Sequence, residues 1–138
     1  MNIYKIALNL ANIKMGGVPE PGESSGKFND NVEGLKKSDA KLTLYQILDK
    51  YSVSYYKDVL FDLKNEDYSW SVTKKVCEYA NYLLEHPQSI KNLPPIIVVG
   101  NVVEDGAHRL SALYVLDKFL DAENNFWKNS SLDVIMYS

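Results

Sequence analysis

Two short β-branched runs, Ile96–Val99 and Val102–Glu104, flank Gly100-Asn101 and lead through Asp105-Gly106 into an apolar helix pattern. This order limits the fold more than any other feature of the chain. Glycine at the first central position suits a two-residue hairpin turn, so the runs read as adjacent antiparallel strands. Leu93-Pro94-Pro95 stops any helix from continuing into the first of them. Beyond Gly106, Leu110, Leu113, Leu116 and Leu120 recur at spacings of three and four, with Ala112, Val115 and Phe119 beside them. That pattern predicts a helix buried on one face or on most of its surface.

Three further helices are expected upstream. Thr43 and Gln46 form a capping-box pattern, with Leu42 and Ile47 placed as a hydrophobic staple, so a helix should start near Leu44 and bury Leu44, Ile47, Leu48 and Tyr51. Tyr55, Tyr56, Val59, Leu60 and Leu63 make a second helical stripe, and Val72, Val76, Tyr79, Ala80 and Leu83 a third, which His86-Pro87 ends. Asn2–Leu10 suits a first strand, and LDVIMY near the C-terminus a last one. Between the first strand and the helices, residues 15–34 are dense in Gly, Pro, Ser, Asn and Asp, as in a ligand loop or lid. The order of elements predicts a single α+β domain over residues 1–138, a small mixed sheet with packed helices, in which residues 15–70 form a flexible loop plus a helical insertion.

Composition narrows the functional classes. A net charge of -3 argues against non-specific binding of nucleic acid, which needs a basic face to neutralise phosphates. The apolar runs are too short to cross a bilayer and the first residues lack a signal-peptide core, so the expectation is a cytoplasmic protein with no membrane contact. Cys77 is the only cysteine and sits among apolar residues at helical spacing, which reads as a buried small hydrophobe. No His/Cys cluster has zinc spacing.

The chemistry concentrates at Asp105–Arg109. Asp105 is placed to cap the helix that follows, and Gly106 permits a tight turn and close approach of a ligand to the backbone. The first helical turn then offers N–H groups and the positive end of the helix dipole to an anion, with His108 and Arg109 as side-chain donors. Arginine suits phosphate or carboxylate through its paired N–H groups, and histidine changes charge near neutral pH. The alternative is purely structural: Asp-Gly is a common turn, and Arg109 can pair with an acid such as Glu104.

The run LPPIIVVGNVVEDGAHRLSALYVL, preceded by YANYLLEHPQSIKN, resembles the core of the ParB/sulfiredoxin superfamily, in which a Gly-x-[His/Arg]-Arg box follows a hairpin and opens an alanine-rich helix. The resemblance covers Tyr79 to Leu116, and Asn2–Leu10 is similar to the family's first strand. It implies a sulfiredoxin-like fold and a phosphate cradle for ATP, CTP or another nucleoside triphosphate with Mg2+, made by Gly106, Ala107, His108 and Arg109. Ala107 stands where sulfiredoxins carry cysteine, which argues against sulfinic acid reduction. Partition proteins carry Gly-Glu-Arg-Arg and a downstream DNA-binding region, and this chain matches neither. The Asp-Gly-x-His-Arg box is closer to that of free serine kinases and short phage or plasmid ParB-like proteins. By that resemblance Asp105 would hold magnesium, and Glu20 or Glu23 would supply a second catalytic acid for hydrolysis or phosphoryl transfer.

Two other functions compete with this expectation. One is a non-catalytic phage- or plasmid-type accessory protein that keeps the fold and grips a partner protein through its tyrosine-rich middle (Tyr45, Tyr51, Tyr55, Tyr56, Tyr68, Tyr79, Tyr82). The other is the nuclease activity associated with ParB-like proteins. Trp70 and Trp127 are expected at the edges of the core, and His86 as an exposed cap partner.

Overall fold

The computed structural model describes residues 32–119 and 126–138. Asn2–Leu10, most of the Gly/Pro-rich stretch, Glu20 and Glu23 lie outside them. The described elements run β1 (Lys37–Leu42), α1 (Leu44–Lys50), α2 (Tyr56–Lys64), α3 (Ser71–Glu85), a 3-10 turn (Pro87–Asn92), β2 (Ile96–Val99), β3 (Val102–Asp105), α4 (Ala107–Phe119), α5 (Phe126–Asn129) and β4 (Leu132–Tyr137). Strand order in the sheet is β1-β4-β2-β3. β4 pairs antiparallel with β1 and parallel with β2, while β2 and β3 form the expected antiparallel hairpin. The sheet is therefore mixed and the fold α+β.

Local chemistry explains most of the element boundaries. Thr43 caps α1 through a complete capping box: its Oγ1 accepts from the Gln46 N–H at 3.4 Å, and its own N–H donates to Gln46 Oε1 at 2.9 Å. Thr43→Ala removes one side of this exchange and is expected to cost about 1 kcal/mol, read as a lower urea midpoint at unchanged slope. Gly100 turns the hairpin at φ +63°. At the end of α3 the His86 N–H donates to the Tyr82 carbonyl at 2.8 Å, and the His86 ring stacks on Tyr82, exposed to solvent.

α4 is the central helix. Leu110, Ala112, Leu113 and Val115 have no exposed surface, and α4 packs against both α2 and α3. The sheet contributes Ile96, Val98, Val103, Leu132 and Val134 to the same core. So do Leu44, Ile47, Val59, Leu60 and Leu63 from α1 and α2, so the expected helical insertion is built into the domain. Cys77 is buried there, and burial pushes its thiol up to about 12, which keeps it protonated and inert. Trp127 is in the core, whereas Trp70 remains 38% exposed. No helix among the described residues is long and apolar enough to cross a membrane.

One element departs from the reading of residues 15–70 as loop and helices. Lys37–Leu42, KSDAKL, is the outermost strand of the sheet among the described residues, matched residue for residue with β4, from Lys37 opposite Tyr137 to Leu42 opposite Leu132. Reciprocal backbone bonds between Lys36 and Ser138, at 2.7 and 2.9 Å, close its open end. Its lysines, Lys37 and Lys41, are exposed.

Candidate functional site

The turn between β3 and α4 is set by Gly106. Its φ of +112° is a conformation that side chains rarely adopt, and a Cβ there would lie 2.5 Å from Ile96 Cδ1 and 3.3 Å from Arg109 Nη2. Backbone therefore lies directly against a core side chain and the guanidinium. α4 begins at Ala107, and its first backbone bond runs from the Leu110 N–H to the Gly106 carbonyl at 2.9 Å. With glycine ahead of the helix, the preceding residue has no side chain with which to cap it.

Asp105 does not cap α4 as expected. It is the last residue of β3, and its carboxylate accepts from Arg109 Nη2 at 3.3 Å, one helical turn away. The guanidinium donates to the Pro94 carbonyl and, at 3.5 Å, to that of Pro95. Arg109 is only 5% exposed, so it ties the prolines ahead of β2 to the turn after β3 and does not extend from the helix as an open ligand arm. Glu104, the acid suggested by the structural alternative, is exposed, and Asp105 is the partner. Burial pulls the guanidinium below its ordinary range, while the neighbouring Asp105 and Tyr79 oppose that shift. Arginine stays charged nonetheless, which makes this a buried cation with an anionic partner.

His108 takes no part in that clamp and lies among aromatic residues from the start of α2 and from α3. Its Nδ1 lies 3.0 Å from Tyr55 Oη, its ring centroid is 5.2 Å from that of Tyr55, and the Tyr79 ring meets it edge-on at 6.0 Å. Tyr55 in turn meets Trp70 edge-on at 5.9 Å. Tyr55 adopts φ +53° at the start of α2, a left-handed conformation that costs on the order of 1 kcal/mol for a bulky residue. Burial, followed by the nearby Tyr79, pushes its hydroxyl up to about 12, so it is a neutral hydrogen-bonding group at neutral pH. Burial also raises Tyr79, with Arg109 opposing and Asp105 adding to the shift.

The turn thus brings Asp105, Gly106, Ala107, His108 and Arg109 together as expected, but divides their roles. Gly106 and Ala107 shape the backbone, Asp105 and Arg109 clamp each other, and His108 belongs to a ring cluster with Tyr55, Tyr79 and Trp70 that helical periodicity alone does not reveal. The spacing of four between Asp105 and Arg109 is the signal that could have shown the ion pair. Among the described residues no three His, Cys, Asp or Glu side chains gather closely enough to hold a metal ion, and the expected magnesium ligand Asp105 is engaged with Arg109. Comparison of the chain with protein-family models, curated proteins and solved structures found no match.

Proposed function

We propose that the protein binds the phosphate groups of a nucleotide, or of another phosphorylated small molecule, at the turn leading into α4, as a small ParB/sulfiredoxin-like protein would. The observation that carries this reading is Gly106: its conformation and its contact with Ile96 require glycine, and a glycine ahead of a 13-residue helix leaves the first-turn N–H groups uncapped by its own side chain. His108, half-buried beside this turn, adds a side chain that can become cationic. Arg109 supports the site from beneath, as a clamp on its backbone. Phosphoryl transfer or hydrolysis with Mg2+ would further require Asp105 to release Arg109, or an acid such as Glu20 or Glu23 to act in its place.

Isothermal titration with ATP, CTP and GTP in the presence of Mg2+ tests the reading. Binding of at least one nucleotide is expected, weakened about tenfold in His108→Ala, the loss of one charge-assisted hydrogen bond. Absence of heat with all three nucleotides at millimolar concentration overturns it. His108→Ala is a better probe than Arg109→Ala, because removal of the guanidinium also disturbs the fold.

A second reading, a partner-binding accessory protein, is favoured by exposed aromatic surface in the middle of the chain. Phe61 on α2 is 68% exposed, and Trp70 38%. Most of the tyrosines in that region are partly or fully buried, so Phe61 and Trp70 would carry such an interface.

A further inference from the structure

The Arg109 guanidinium is also reached from a direction unrelated to the α4 turn. A groove of about 530 Å³ runs between the 3-10 turn and the approach to β4, with Pro87, Gln88, Ile90, Lys91 and Ser131 along it. Ile90, Lys91 and Ser131 also line a narrow neck of about 20 Å³, at which Arg109 and Asp133 are found. The groove is the size of a small-molecule site, while the neck has room for a water or a single ligand oxygen.

The charges point to an anion. Arg109 is 95% buried, its exposure being 5%, and its hydrogen bonds to Pro94, Pro95 and Asp105 engage both Nη1 and Nη2. Of its five N–H groups, Nε–H and one on Nη2 have no hydrogen-bond partner among the described residues. Lys91, exposed at the end of the 3-10 turn, supplies a second cation where groove and neck meet. Asp133 is the opposing charge, and Lys41 pairs with it at 3.4 Å. A carboxylate on this wall can accept a hydrogen bond from a ligand hydroxyl.

We propose that this groove is a binding site for a phosphate monoester carrying hydroxyl groups. One phosphate oxygen enters the neck toward Arg109, Lys91 holds the phosphate from the rim, and the rest of the molecule lies along Pro87–Ile90. The site is independent of nucleotide binding at the α4 turn.

The test is two-dimensional NMR of the 15N-labelled full chain, titrated separately with inorganic phosphate, glycerol 3-phosphate and ATP. Glycerol 3-phosphate is expected to shift the Lys91 and Ser131 amides and the Arg109 Nε–H signal, to bind more tightly than inorganic phosphate, and to lose about tenfold in affinity in Lys91→Ala. Absence of shifts at those three signals overturns the proposal, as does an unchanged affinity in Lys91→Ala. Shifts confined to the Ala107 and His108 amides on addition of glycerol 3-phosphate also overturn it, whereas shifts of those two amides on addition of ATP support the nucleotide reading, so the two sites succeed or fail separately. Lys91 is on the surface, and the dispersion of the Lys91→Ala spectrum verifies that the variant is folded.

Discussion

Gly106→Ala is expected to destabilise the protein by about 3 kcal/mol, a fall in Tm on the order of 10 °C. Two independent costs add at this position. The backbone at φ +112° penalises any side chain, and the new methyl group would lie 2.5 Å from Ile96 Cδ1. The end of an isoleucine side chain ordinarily moves aside cheaply. Ile96 is 2% exposed within the core, however, so yielding here forces its neighbours to repack. Gly100 provides the internal comparison: its φ is +63°, but nothing lies within 4 Å of a Cβ built there. Gly100→Ala meets the backbone penalty without such a contact and should cost about 1 kcal/mol. Thermal and urea denaturation of the two variants measure the contrast. Equal losses would show that backbone conformation alone matters and that the contact with Ile96 is unimportant.

The same turn shows where sequence reasoning reaches its limit. The capping box at Thr43, the glycine of the hairpin and the three-four periodicity of α1 to α4 are local signals, and each element formed where its signal stands. β1 carries no such signal. In KSDAKL only Ala40 and Leu42 are even partly buried, and the strand exists because β4 offers it a complete backbone ladder. At the site, residue types were legible and directions were not. Arg109 after a glycine turn suggests an outward donor, yet the Pro94 carbonyl, 15 residues earlier, draws it inward. The ring cluster around His108 likewise depends on Tyr55, 53 positions away, held in a left-handed conformation that no composition pattern encodes. Lys91 and Ser131 meet only because β4 returns beside β2.

Asp105→Ala should cost about 3 kcal/mol, because it leaves a buried guanidinium with neutral carbonyl partners only. The side chain of Arg109 is 6% exposed and that of Asp105 18%, so the arginine cannot recover its hydration while the aspartate can recover part of its own. Arg109→Met is therefore expected to cost less, about 2 kcal/mol: it strands a carboxylate that water can reach and the Pro94 carbonyl, but leaves no buried cation. In the double variant the two penalties overlap, since neither charge is left alone. Its loss should be smaller than the sum of the single losses by about 1–2 kcal/mol, measured by urea denaturation of all four proteins at one pH. Additivity within about 0.5 kcal/mol would show that Asp105 and Arg109 do not act as a pair. The asymmetry between the single variants carries separate information: if Arg109→Met proves the more costly, the bonds to the Pro94 and Pro95 carbonyls, and not the ion pair, hold the turn against the sheet.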